Sequence, residues 1–220
     1  MSNPLFNIRN GLFVIAFLLA VSVQAQQRDR LGELDVVCRN ESYSCLQSGD
    51  LIFLNNNRSD MEKAITASTG EYSHVALVER DSADDVWVVE ASPKKGVQRI
   101  SYEQFERNHN LGFFRGNIDI YRLNVPFDTV AVIARAKSLV GKPYDNAFLP
   151  DNDAYYCSEL IQVAFGDIFP TKPMNWRDSE GNLPEYWIKH FEDLGVPVPE
   201  GVPGTNPTDM SRSLLLKKLK

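Results

Sequence analysis

The chain has 220 residues, of which 43% are hydrophobic and 24% are charged. This composition is typical of a globular protein and excludes a disordered or fibrous chain. Asp and Glu number 29 against 23 Lys and Arg, and the formal charge of -6 argues against nucleic acid as a partner. The three cysteines are too few for a disulfide scaffold, and their odd number leaves at least one thiol unpaired.

Residues 1–25 have the pattern of a secretory signal peptide. Arg9 is their only charged residue, residues 11–23 are apolar apart from one serine, and Ala25 ends a small-residue cleavage pattern. The apolar run is shorter than the roughly 20 residues that a membrane-spanning helix needs. We therefore expect cleavage after Ala25 and a secreted or periplasmic single domain of residues 26–220, without a transmembrane anchor. An uncleaved anchor is the alternative.

The predicted strands lie mainly in the first half of the mature chain. They cover residues 51–54, 74–78, 86–90, 96–100 and 118–123. Polar residues 81–85 predict a hairpin turn. Ser59 and Glu62 have capping-box spacing and predict a helix that ends at Thr69, and Ser101 predicts the start of a short one.

Helices are predicted over residues 128–140, 157–165 and 184–194. Val130, Ile133 and Ala134 form the predicted apolar face of the first. The Pro- and Gly-rich residues 197–207 predict a loop. The lysines near the C-terminus, Lys217, Lys218 and Lys220, predict a solvated end. The predicted strands come first along the chain and the helices are partly segregated from them, which indicates an α+β fold.

Cys157 begins an apolar helical face that continues through Leu160, Ile161, Ala164 and Phe165. Free N–H groups and the positive end of the dipole at a helix N-terminus favour a thiolate and can bind an oxyanion. A small buried core residue is an equally good interpretation of Cys157.

His74 begins an apolar strand, and Glu90 ends the next one. If the inward face of the first strand packs against the cysteine helix, His74 can accept the thiol proton. Across the hairpin, Glu90 can orient the imidazole, whereas Glu79 points to the opposite strand face. A structural histidine and a solvent-facing glutamate are the alternatives. His109 and His190 fit ordinary surface positions.

Five motifs, in this order, resemble the permuted papain-like cysteine amidases of the YiiX/YaeF type, which are relatives of NlpC-type cell-wall peptidases. The resemblance spans roughly residues 46–210, and the histidine precedes the cysteine as the permuted family requires. The motifs are Gly49-Asp50-Leu51-Ile52-Phe53, Tyr72-Ser73-His74-Val75-Ala76-Leu77-Val78, Val89-Glu90-Ala91 with Gly96-Val97, Gly141-Lys142-Pro143-Tyr144-Asp145 and Tyr156-Cys157-Ser158-Glu159-Leu160.

The resemblance implies a papain-like core, in which the cysteine helix packs on a small antiparallel sheet or partial barrel. It implies Cys157 as nucleophile, His74 as base and Glu90 as the orienting group. Tyr156, Tyr144 and Asp145 are candidate pocket or oxyanion-side residues, or they pack beneath the helix.

The sequence therefore predicts a cysteine hydrolase that cleaves an amide bond. Kinship with cell-wall peptidases implies a peptidoglycan stem peptide as substrate, and an N-acyl amino compound is the alternative. A thiol-dependent acyltransferase and a non-catalytic binding module remain open. The spacing of His and Cys predicts no zinc site, and no glycine loop predicts a phosphate site, so we expect no cofactor.

Two states of Cys38 and Cys45 are compatible with an oxidising compartment. They can form a disulfide, or both can remain free. In either case Cys157 has to stay unpaired if it is a nucleophile.

Overall fold

The computed structural model describes residues 45–111 and 118–219. The chain divides into two units, residues 1–45 and 46–220, and the second contains all the described helices and strands. The predicted signal peptide and Cys38 lie outside the described residues. Cys45 is disulfide-bonded, and Cys38 as its partner stays a prediction. Within the described ranges, no helix has the length and hydropathy needed to cross a membrane.

Six strands form one antiparallel sheet in the order β4-β3-β2-β1-β5-β8, which over the described residues does not close into a barrel. All the predicted strands are present, so the α+β class is confirmed. The strands are β1 (Leu51–Leu54), β2 (His74–Arg80), β3 (Val86–Ser92), β4 (Gly96–Ser101), β5 (Ile118–Leu123) and β8 (Leu216–Lys218). A second, two-stranded sheet pairs β6 (Lys172–Pro173) with β7 (Pro203–Gly204).

Six α-helices lie in the described residues. They are α1 (Asp60–Thr69), α2 (Tyr102–Asn108), α3 (Thr129–Ser138), α4 (Cys157–Phe165), α5 (Glu185–Leu194) and α6 (Pro207–Ser211). The predicted capping box of α1 is present, because the Ser59 hydroxyl accepts the N–H of Glu62 and the Glu62 carboxylate accepts the N–H of Ser59.

Two predictions about helix faces and chain ends are wrong. Val130 of α3 is 80% exposed, and the buried residues of this helix are Val132 and Ala136, one turn apart. The C-terminal lysines do not form a free end, because β8 pairs with β5; Lys218 stays exposed and forms an ion pair with Asp119 at 2.8 Å. Lys220 lies outside the described residues.

The cysteine helix α4 packs on β2 and β3. Its predicted apolar face is buried among Val75, Leu77 and the neighbouring strand residues. By strand alternation His74 belongs to the other face of β2, so the expectation that the His74 face packs on this helix is wrong. His74 is the first residue of β2 and Cys157 the first residue of α4, so the two meet where both elements begin.

A buried ion pair joins β5 to the turn before β1. Asp50 is 1% exposed, and both its oxygens accept from Arg122, at 2.6 Å from Nε and 2.7 Å from Nη2. Burial raises the pKa of Asp50, although the guanidinium of Arg122 acts in the opposite direction. The pairing therefore offsets a large desolvation cost.

Replacing Arg122 by methionine is expected to destabilise the protein by about 3–5 kcal/mol, because a buried carboxylate loses its cationic partner. Urea unfolding followed by tryptophan fluorescence measures the loss. Lys63→Ala is the control, since its ion pair with Asp60 is exposed and contributes about 0.5 kcal/mol. Equal unfolding midpoints for Arg122→Met and Lys63→Ala would contradict this expectation.

Candidate active site

Cys157 is buried at the first position of α4, and its side chain is a free thiol. The Tyr156 carbonyl accepts from Leu160, so the N–H groups of the first helical turn have no partner within the helix. These groups and the helix dipole place positive electrostatic potential at the thiol. The position provides donors for a developing oxyanion.

His74 and Glu90 lie beside this thiol. His74 Nε2 is 2.8 Å from Glu90 Oε2, and the His74 ring lies close enough to Cys157 for the thiol to raise its pKa. Since Nε2 faces the carboxylate, Nδ1 is the ring nitrogen left for the sulfur. Glu90 is only 1% exposed. The structure therefore brings together the three residues that the sequence indicated as nucleophile, base and orienting group.

Opposing effects set the pKa values of the pair. Burial lowers the pKa of His74, but hydrogen bonds to Cys157 and Glu90 outweigh it and raise the value to about 10. Burial raises the pKa of Glu90, but hydrogen bonds from His109 and His74 outweigh it and bring the value below the ordinary range. At neutral pH a protonated His74 thus faces an ionised Glu90.

His109 is a residue of this cluster that sequence reasoning missed. Its Nε2 is 2.9 Å from the same Glu90 oxygen, and its ring stacks on His74 with centroids 5.0 Å apart. Its side chain is 18% exposed, so the surface interpretation is wrong. Arg58 donates to the His109 carbonyl at 2.7 Å and fixes the end of α2 there. No local pattern around His109 marks this position.

Gln98 of β4 completes the surroundings of the carboxylate. Its Nε2 donates to Glu90 Oε1 at 2.8 Å, while Glu90 Oε2 is hydrogen-bonded to the Nε2 atoms of both imidazoles. Glu79, the rival that the sequence offered, pairs with Arg99 and Lys137 instead. The hairpin therefore separates its two buried glutamates by strand face, as alternation predicts.

Tyr144 and Asp145, both buried, have different surroundings. Tyr144 lies close enough to Cys157 for a negative charge there to raise its pKa, after the larger effect of burial. Asp145 accepts the N–H groups of Ala147 and Leu149, so it holds a turn. Of the two, Tyr144 is the one that lines a cavity beside the reactive groups.

Tyr156 connects the cysteine helix to the C-terminal segment. Its hydroxyl accepts the N–H of Thr205 at 3.0 Å. A side chain at Gly204 would collide with Met174 and with the Tyr156 hydroxyl, so a larger residue would have to displace these side chains. The segment predicted as a loop therefore forms a wall beside Cys157.

Two cavities flank the reactive groups. A small apolar cavity of about 50 Å³ contains Cys157, and a wide polar cleft of about 690 Å³ contains His74. Tyr144 and Ile65 line both. The apolar cavity is further lined by Phe148, Met174, Trp176 and Trp187, and the polar cleft by Glu90, His109, Lys94 and Lys95.

The cluster of His74, Glu90 and His109 also has the donor set of a metal site. Ligand atoms of all three lie within 4.8 Å of one another. The sequence gave no indication of this set, because its residues come from β2, β3 and the end of α2.

Comparison with known proteins identifies the fold family. The YaeF/YiiX family of permuted papain-like amidases, peptidase family C92, matches residues 45–220. Among solved structures, the metalloprotein YiiX from Escherichia coli O157:H7 is similar at 25% identity and a TM-score of 0.64, covering 78% of this chain and 95% of YiiX. No curated protein gives a significant match. The chain therefore belongs to the permuted papain-like amidase family of the YaeF/YiiX type.

Proposed function

We propose that this protein is an exported cysteine amidase in which Cys157, His74 and Glu90 carry the reaction. The observation that carries the proposal is the position of Cys157 beside His74, which is hydrogen-bonded in turn to a fully buried Glu90. A disulfide at Cys45 supports export, because disulfides persist in oxidising compartments. Residues 1–25 provide the signal.

The geometry supports a two-step acyl transfer to water. The Cys157 thiolate attacks the amide carbonyl, and N–H groups of the first turn of α4 stabilise the oxyanion. As the C–N bond breaks, His74 donates its proton to the leaving amine. His74 then takes a proton from water, which attacks the thioester and releases the acid and the thiolate. Glu90 holds the imidazole in place and stabilises its charged form.

The positions of the two cavities orient the substrate. The leaving amine has to lie near His74, which protonates it, and His74 opens into the polar cleft. The acyl group then lies on the other side of the scissile bond, in the apolar cavity beside Cys157. Its volume of about 50 Å³ admits a small apolar acyl group.

Charge at the cleft favours an anionic leaving portion. Lys94 and Lys95, in the turn between β3 and β4, are exposed at its rim in a chain that is acidic overall. Glu90 is buried beneath two imidazoles and does not counter them. We therefore propose an N-acyl amino compound with a carboxylate as the substrate class, a description that a short stem peptide also meets.

A metal-binding function is a second candidate. YiiX is described as a metalloprotein, and this chain has two imidazoles and a carboxylate in one cluster. These donor types suit zinc and similar ions. A bound ion would supply positive charge at the cluster.

Cys157→Ala is expected to abolish hydrolysis of N-acyl amino acids, because the variant has no nucleophile. Cys157→Ser is expected to lose at least about 10³-fold, since an alcohol is a weaker nucleophile there. Chromatographic product assays measure turnover, and circular dichroism checks that both variants fold. Full activity in Cys157→Ala, or iodoacetamide labelling of the wild type as slow as that of an unperturbed thiol, would refute the nucleophile assignment.

Glu90→Gln is expected to lower kcat/KM by about 10²–10⁴-fold and to move its alkaline limb to lower pH. His74 has to carry a proton for the leaving amine, and Glu90 is one of the groups that raise its pKa to about 10. Without this charge the imidazole loses its proton at lower pH.

Profiles of kcat/KM from acidic to alkaline pH measure the shift. Glu79→Gln is the matched control, since this buried glutamate of the same hairpin pairs with Arg99 on the opposite strand face. An alkaline limb that stays in place in Glu90→Gln would show that the carboxylate does not hold the His74 proton.

Lys94→Ala and Lys95→Ala are each expected to raise KM about two- to fivefold for substrates whose leaving amine carries a carboxylate, because an exposed ion pair contributes up to about 1 kcal/mol. KM for the matching neutral amides is expected to stay constant. Lys189→Ala, an exposed lysine on α5, is the control. Equal effects on charged and neutral substrates would refute the recognition of a carboxylate.

A further inference from the structure

The second imidazole on Glu90 has no role in the proposed hydrolysis. His109 and His74 approach the same carboxylate oxygen with their Nε2 atoms, at 2.9 Å and 2.8 Å. The proton transfers described above need only one of these rings. A buried carboxylate oxygen between two stacked imidazoles is also an arrangement that binds divalent transition metals.

We propose that His74, Glu90 and His109 bind one Zn²⁺ ion and that the ion blocks the hydrolytic reaction by occupying Nε2 of His74. The site is separate from the thiol, because Cys157 faces the other ring nitrogen of His74. The blocking effect rests on the proposed function, whereas the metal site itself does not.

The donor distances fit a metal site. Zinc binds imidazole nitrogen and carboxylate oxygen at about 2.0–2.2 Å, so neighbouring ligand atoms in a tetrahedral site lie about 3.3 Å apart. The contacts of 2.8 Å and 2.9 Å have to open by only about 0.4–0.5 Å. The cluster borders the wide polar cleft, through which an ion and a completing water molecule can enter.

The surroundings of the cluster hold its donors in place. Gln98 donates to Glu90 Oε1, which orients the carboxylate and leaves Oε2 for the ion. Arg58 holds the backbone of His109 through its carbonyl. Partners of this kind orient the residues that bind the metal and raise its affinity, commonly by 10- to 100-fold.

Metal binding and proton transfer compete for the same imidazole. An ion takes the Nε2 lone pair of His74 and releases the proton that this atom carries in the imidazolium form. The remaining proton is on Nδ1, toward Cys157. To protonate the leaving amine, the ion-bound ring has to give up this last proton and become an imidazolate, so the reaction is blocked at the step that forms the thioester.

Titration of the chelator-treated, full-length protein tests the site. Isothermal calorimetry is expected to show one Zn²⁺ per chain, and Co²⁺ is expected to give visible d–d absorption without a thiolate charge-transfer band. His109→Gln is expected to weaken Zn²⁺ binding by at least about 10-fold, since it removes a ligand. His190→Gln, which removes a histidine bonded to the Asn146 carbonyl, is the matched control and is expected to keep the wild-type affinity.

Cys157→Ala separates this site from a thiolate site. It is expected to bind Zn²⁺ as the wild type does, since the sulfur is not a ligand. Absence of stoichiometric Zn²⁺ binding, equal affinity in His109→Gln and wild type, or loss of binding in Cys157→Ala would each overturn the assignment.

Activity tests the blocking effect. Hydrolysis by the metal-free enzyme is expected to fall at least tenfold at saturating Zn²⁺ and to return after chelation, with a midpoint equal to the calorimetric Kd. Undiminished hydrolysis at saturating Zn²⁺ would overturn the block. Absence of hydrolysis in the metal-free enzyme would overturn the proposed function and the block with it, while the calorimetric result still decides the metal site.

Discussion

The structure around the site depends on one buried negative charge, the carboxylate of Glu90. An isolated carboxylate in a protein interior costs several kcal/mol, so it has to be surrounded by donors. His74, His109 and Gln98 supply them, from three different elements. The carboxylate therefore connects the start of β2, the end of α2 and the strand β4 through hydrogen bonds. The same charge keeps His74 protonated, and this couples the stability of the fold to the electrostatics of the thiol.

The C-terminal part of the chain lines the apolar cavity beside Cys157. Trp176 donates its indole N–H to the Pro199 carbonyl, and Thr208 accepts the N–H of Tyr72 just before β2. The hydroxyl of Tyr156 accepts the N–H of Thr205 in the same C-terminal part. These bonds satisfy backbone groups that a buried loop would otherwise leave unpaired. A Pro- and Gly-rich segment can thus line a cavity, because backbone groups such as the Pro199 carbonyl and the Thr205 N–H have partners.

Sequence patterns predicted the elements better than the contacts between them. The capping box at Ser59 and the apolar face of α4 are local signals, and both are present. Period-two alternation separated Glu90 from Glu79 correctly. His109 was missed because its role depends on how α2 packs against the sheet, which no neighbouring residue encodes. The buried face of α3 was also mispredicted, because Val130 lies in the first turn, where an apolar residue can face solvent at little cost.

The reaction does not depend on the order of Cys157 and His74 along the chain, because each lies at the start of a helix or strand. A helix N-terminus supplies unpaired N–H groups and positive potential wherever the helix occurs in the chain. The first residue of a strand can turn its side chain beyond the sheet, since no earlier strand residue flanks it. Cys157 and His74 occupy these two kinds of position. A permuted chain therefore keeps the thiol and imidazole together as long as the helix still packs on that strand, and the packing of α4 on β2, rather than sequence order, maintains the site.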